Sequence, residues 1–177
     1  MIAFGDYLKI TDPEKDFNIH KFATSENQFD LFKKIYSVYD RAFILESLVG
    51  PKELAEISVI GFDPEAIITS DFKRFTVRDR KGRILKESKV LEPLEQLREL
   101  MPQVHDHRFR YIGGAVGYIS YDAIRFWEEL PIDKRKKDAT DFPIFEFGIY
   151  RDGILYNHKE NQAYYFYHWL VGFWLQW

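Results

Sequence analysis

"IFEFGIYRDGILYNHKENQAYYFY", Ile144 to Tyr167, decides the fold class. Ile144 to Tyr150, Ile154 to Tyr156 and Ala163 to Tyr167 are short runs of branched and aromatic residues, the side chains that fill a pleated surface. Arg151-Asp152-Gly153 predicts a tight hairpin turn, because Asp-Gly supports the positive φ that such turns require. Asn157 to Asn161 predicts a second turn by the same logic. Strands joined by turns this short must run antiparallel, since a parallel pair needs a long crossover.

Upstream the same pattern recurs. Ala42 to Leu48 and Ser58 to Phe62 are apolar, bounded by Gly50-Pro51 and Asp63-Pro64, and read as buried strands that are neighbours in one sheet. Phe72 to Arg78 and Arg83 to Lys86 flank Asp79-Arg80-Lys81-Gly82, where Gly82 closes a hairpin. Short strands are also expected at Tyr7 to Ile10 and Ile19 to Phe22.

Helices are few. Ser25 with Gln28 fits a capping box, and the helix expected after it carries Phe29, Phe32, Tyr36 and Tyr39 along one face, a stripe that reads as core. Glu92-Pro93-Leu94 opens a second helix with Pro in its first turn, running through Leu97 and Leu100 to Met101. Ser120 or Asp122 caps a third, short one with Ile124 and Trp127 inward and Arg125 and Glu128 outward. The expected fold is α+β: mostly antiparallel strands in two packed sheets, with a few helices.

Composition narrows the function. With 25 Lys and Arg against 28 Asp and Glu, no basic field draws the chain to nucleic acid or to an anionic membrane. The absence of Cys removes disulfides and thiolate metal sites and fits a reducing, cytoplasmic setting. Met1 to Asp6 begins no basic and apolar signal segment.

Three stretches invite a functional reading and then lose it. Gly113, Gly114 and Gly117 do not match the spacing of a dinucleotide fingerprint, and small residues in a strand more often admit a neighbouring backbone. Lys134 to Lys137 is flanked by Asp133, Asp138 and Asp141, which makes it a solvated loop. His105 and His107 could share a metal, yet Asp106, Arg108 and Arg110 beside them suggest an exposed loop with too few ligands. No Ser-His-Asp or Cys-His order stands out, so no catalytic residues and no metal site are assigned.

"FILESLVGP", Phe43 to Pro51, is different: an apolar strand ends in an adjacent acid and hydroxyl, Glu46-Ser47, and then breaks. Either the strand simply stops there or its end presents a polar pair to a small ligand.

Together with "SVIGFDPEAII", "GGAVGYISYDAIRFWE" and "DFPIFEFGIYRDGILYNHKENQAYY", in that order, it resembles the N-terminal domain of anthranilate synthase component I over about residues 17 to 166. The resemblance implies a chorismate-utilising enzyme that makes anthranilate with ammonia from a glutamine amidotransferase subunit. It also implies feedback inhibition by L-tryptophan, bound largely in this domain. The family's Leu-Leu-Glu-Ser motif stands here as Ile44-Leu45-Glu46-Ser47, so Leu45, Glu46 and Ser47 are the expected tryptophan-binding residues. A carboxylate can pair with an α-ammonium group, a hydroxyl and backbone N–H groups can serve a carboxylate, and an apolar strand can wall an indole. Many relatives carry Arg-Tyr-Ser where this chain has Glu56-Ile57-Ser58, a departure that bears on tryptophan affinity.

In the family the chorismate and magnesium site lies in a large C-terminal domain, so no cofactor is expected in this chain and magnesium only with that domain. Residues 1–167 are expected to form the regulatory lobe, inactive alone. "HWLVGFWLQW", residues 168–177, is an uncharged aromatic tail that could pack on the sheet, bury itself in a dimer or be an out-of-frame ending; the last is favoured, since an exposed aromatic tail is an aggregation liability. Two other readings stay open: a free-standing module for a small ligand or an amidotransferase, and the same lobe of a para-aminobenzoate or isochorismate synthase.

Overall fold

The computed structural model describes residues 17–46, 57–101, 111, 113–129 and 142–168. Expectations for Tyr7 to Ile10, Ser47 to Pro51, His105, His107, Lys134 to Lys137 and the tail after residue 168 lie outside them. The chain divides into two compact units, each built on a five-stranded sheet.

In the first unit the strands are β1 (Phe17–Phe22), β2 (Ala42–Leu45), β3 (Ile57–Phe62), β9 (Asp152–Asn157) and β10 (Gln162–His168). Their order is β1-β10-β9-β3-β2, antiparallel at every pairing. Both faces of this sheet are apolar, which is why its strands read as nearly continuous hydrophobic runs. Val59, Leu155 and Phe166 cluster on one face with Phe43 and Tyr111. Ile60, Ile154, Tyr156 and Ala163 cluster on the other, where helix α1 (Gln28–Tyr36) lays Leu31, Phe32 and Ile35. Neighbours in sequence, such as Val59 and Ile60, serve opposite clusters because strand side chains alternate.

α1 does not start or face as the sequence predicts. Its N-cap is Asn27, whose Oδ1 accepts from the backbone N–H of Phe29 and Asp30 at 3.0 and 2.9 Å, not Ser25. Thr24 Oγ1 accepts from the Glu26 N–H at 3.1 Å, a local turn that delays the helix. The stripe is only half buried: Phe29 and Tyr36 are 52% and 60% exposed, while Leu31, Phe32 and Ile35 meet the sheet. Tyr39, beyond the helix, packs on Phe62 with ring centroids 5.0 Å apart.

The second unit carries β4 (Ala66–Ser70), β5 (Arg74–Asp79), β6 (Ile84–Lys89), β7 (Gly114–Ile119) and β8 (Phe145–Tyr150) in the order β6-β5-β4-β8-β7. β4 has no counterpart among the sequence-based expectations, yet it is the central strand, burying Ala66, Ile68 and Ser70 on one face. The Asp79 to Gly82 hairpin forms: Gly82 has φ 78°, and Asp79 Oδ1 accepts from the Lys81 and Arg83 N–H groups, both at 2.9 Å. Helix α2 (Pro93–Glu99) begins on its proline and buries Leu97. Residues Tyr121–Phe126 form a 3-10 helix that buries Ala123. Trp127 is not turned inward as expected but is 45% exposed, because its indole Nε1–H donates to Glu92 Oε1 at 2.8 Å.

The deciding stretch forms its three strands with one change of partner. β9 and β10 make the second expected hairpin, around residues 158–161, with Asn161 at φ 50°. β8 and β9 do not make the first. β8 pairs with β4, whereas β9 pairs with β10 and β3, so the chain leaves one sheet and enters the other at Arg151. Gly153 is needed inside β9, not in a turn: a Cβ there would stand 2.6 Å from the Ile60 carbonyl oxygen.

Candidate functional site

β2 is an edge strand, and its last residue, Leu45, sits opposite Val59. Glu46 follows, exposed, and its Oε1 accepts from Gln28 Nε2 at 3.1 Å. Side chains alternate, so Leu45 belongs to the face of Val59 and Glu46 to the face of Ile44, where α1 lies. Ser47, the third expected binding residue, lies outside the described residues. The structure therefore brings Leu45 and Glu46 to one strand end but on opposite faces of the sheet, the acid on the face that carries Ile44 and α1.

A second polar pair stands on the same sheet. Ser58 in β3 is fully buried, and its Oγ lies 2.8 Å from His158 Nε2, just past the end of β9. The β2–β3 register, continued by one residue, sets Glu46 across from Ser58. Gln28, Glu46, Ser58 and His158 lie far apart in sequence; a hydrogen bond from α1 joins the first two, and strand pairing relates Glu46, Ser58 and His158. A hydroxyl bonded to an imidazole resembles part of a nucleophilic dyad, but the complete burial of Ser58 denies it a substrate. The pair reads as a satisfied polar contact at the sheet end.

The other candidates resolve structurally. Gly117 lies where a Cβ would stand 1.9 Å from the Glu146 carbonyl oxygen, so this glycine of β7 admits the backbone of β8, the packing role expected of it. His20 stacks on Tyr167 with centroids 6.0 Å apart, and its Nε2 is buried with no hydrogen-bond partner among the described residues. Among the described residues no group of three or more His, Cys, Asp or Glu side chains could hold a metal ion, and no helix is long and apolar enough to cross a membrane. Burial pushes the Tyr111 phenol well above its ordinary range, with Tyr150 and Asp152 adding to the shift.

Fold and strand ends together define an α+β protein of antiparallel sheets that presents an acid at the rim of one of them. Residues 40–170 match the family model described as chorismate binding enzyme, and the chain belongs to that family. It is 39% identical over 137 residues to anthranilate synthase component 1 of Methanothermobacter marburgensis, covering 77% of this chain and 28% of that protein. With anthranilate synthase component 1 of Leptospira biflexa it shares 31% over 159 residues, 89% of this chain and 32% of the relative. The chain thus spans about a third or less of these curated relatives. A solved anthranilate synthase component I from Streptococcus pneumoniae TIGR4 aligns at 19% identity with a TM-score of 0.48, covering 73% of this chain and 27% of that one.

Proposed function

We propose that this chain is the regulatory, tryptophan-binding lobe of an anthranilate synthase component I, acting in conversion of chorismate to anthranilate by binding the end product. The family membership and the names of the relatives support the enzyme. The observation that carries the regulatory role is the placement of Glu46: an exposed carboxylate just past the end of an apolar strand, on the face of Ile44 and α1, where Gln28 donates a hydrogen bond to it. Such a group pairs with an α-ammonium, Ser47 and nearby backbone N–H groups serve the carboxylate, and the strand walls the indole. On this reading residues 1–167 contribute regulation and do not themselves convert chorismate. Ammonia comes from an amidotransferase partner, and the setting is cytoplasmic.

Isothermal calorimetry on the purified chain tests this. Heat saturates with L-tryptophan, stays flat with D-tryptophan and disappears in Glu46→Ala. A flat L-tryptophan titration on folded protein overturns the regulatory role. Anthranilate fluorescence from the chain alone with chorismate, magnesium and ammonia would overturn the claim that it does not turn over substrate.

A further inference from the structure

We infer that Gln28 is a positioning residue of the amino-acid site: it orients the Glu46 carboxylate toward the ligand's ammonium group. The inference rests on the tryptophan reading above and names a residue that the Leu45-Glu46-Ser47 stretch does not contain.

The geometry is a hydrogen bond across elements. Gln28 is the first residue of α1 and Glu46 the first after β2, and Gln28 Nε2 donates to Glu46 Oε1 at 3.1 Å. A carboxylate only accepts, so the amide must turn its NH2 toward Glu46. One Glu46 oxygen is thereby occupied, and among the described residues no bond is made to the other, the oxygen that meets the incoming cation on this reading.

Both ends of this contact are anchored. Phe32, one turn after Gln28, and Ile44, two residues before Glu46, pack in the same cluster with Ile60. Asn27 holds the helix start through the Phe29 and Asp30 N–H groups. Helix start and strand end are therefore set against each other by the core, and the side chains reach across a fixed gap. The neighbouring lysines of α1 have acids of their own, Lys33 with Asp30 at 2.7 Å and Lys34 with Glu26. An exposed carboxylate has several rotamers to lose when it binds, and a ligand gains affinity when that ordering has already been done.

Chemical dissection of the ligand separates positioning from a general effect on the fold. In calorimetry on the full chain, Gln28→Ala should weaken L-tryptophan roughly tenfold, the loss expected for one hydrogen bond to a charged group. Tryptamine, which keeps the ammonium, should weaken in parallel. Indole-3-propionate, which lacks it, should be unaffected. A purely structural role would weaken all three ligands alike, and that result overturns the inference. So does unchanged L-tryptophan affinity in Gln28→Ala while Glu46→Ala abolishes binding, which leaves the tryptophan reading intact. A flat wild-type titration overturns the tryptophan reading itself, and this inference with it.

Discussion

Ser58 Oγ and His158 Nε2 lie 2.8 Å apart although the two residues are separated by 100 positions in the chain. The contact exists because β3 and β9 are neighbours, with Ser58 opposite Tyr156 and Ile57 opposite Asn157. It ties the end of β9, where the chain turns into β10, to the neighbouring strand β3.

This contact should matter to stability in an uneven way. His158→Ala leaves the Ser58 hydroxyl buried without its partner and should cost about 1–3 kcal/mol, whereas Ser58→Ala removes the buried group itself and should cost about 1 kcal/mol or less. The double variant should be no worse than His158→Ala alone. Urea denaturation of the three variants measures this, and simple additivity would show that the two residues do not act together.

Helix capping offers a second check, because two residues compete for one role. Asn27→Ala removes the acceptor for the Phe29 and Asp30 N–H groups and should lower stability by about 1 kcal/mol. Ser25→Ala should be close to neutral, since the box centred on Ser25 does not form. A larger loss at Ser25 than at Asn27 in chemical denaturation would reverse the assignment.

Alkaline stability should report on Tyr111. Its hydroxyl is buried without a hydrogen-bond partner among the described residues, and burial pushes its ionisation upward, with Tyr150 and Asp152 adding to the shift. The folded-state value is raised above the unfolded one near 10, so the folded chain keeps the proton while the unfolded chain releases it. The contribution is complete below pH 10 and is lost progressively above it. Tyr111→Phe should flatten that alkaline loss and, by removing an unpaired buried hydroxyl, gain about 1 kcal/mol at pH 7. Denaturation midpoints for wild type and variant between pH 7 and 11 decide it; identical pH slopes would count against a buried phenol.

Much of the fold was legible because its causes are local. The Asp79 to Gly82 hairpin needs one residue at positive φ, α2 needs a proline at its start, and β3 needs an apolar run bounded by Asp63-Pro64; each is written in a few adjacent letters. Glu46 was legible for the same reason: an acid that ends an apolar strand stands out in a single line of sequence, and the resemblance then gave it a ligand.

What failed depended on partners that the neighbouring letters do not name. Asp152-Gly153 carries a good turn signal, but β3 and β10 offer β9 a ladder on each side, and those long-range hydrogen bonds outweigh a local turn preference. Phe29 and Tyr36 share a helical face with Phe32, but which arc of α1 is buried depends on where Ile44 and Ile60 lie. The sequence by itself determined that the chain is α+β, rich in antiparallel strands and bearing an acid at a strand end, since periodicity and turn chemistry are short-range properties. Only the tertiary structure decided which sheet each strand joins, that Asn27 caps α1, that Gln28 reaches from α1 to Glu46, and that the Ser58–His158 pair stands on the sheet that presents Glu46. Those relations arise from burial and pairing between distant segments, whose energies no short window of sequence contains.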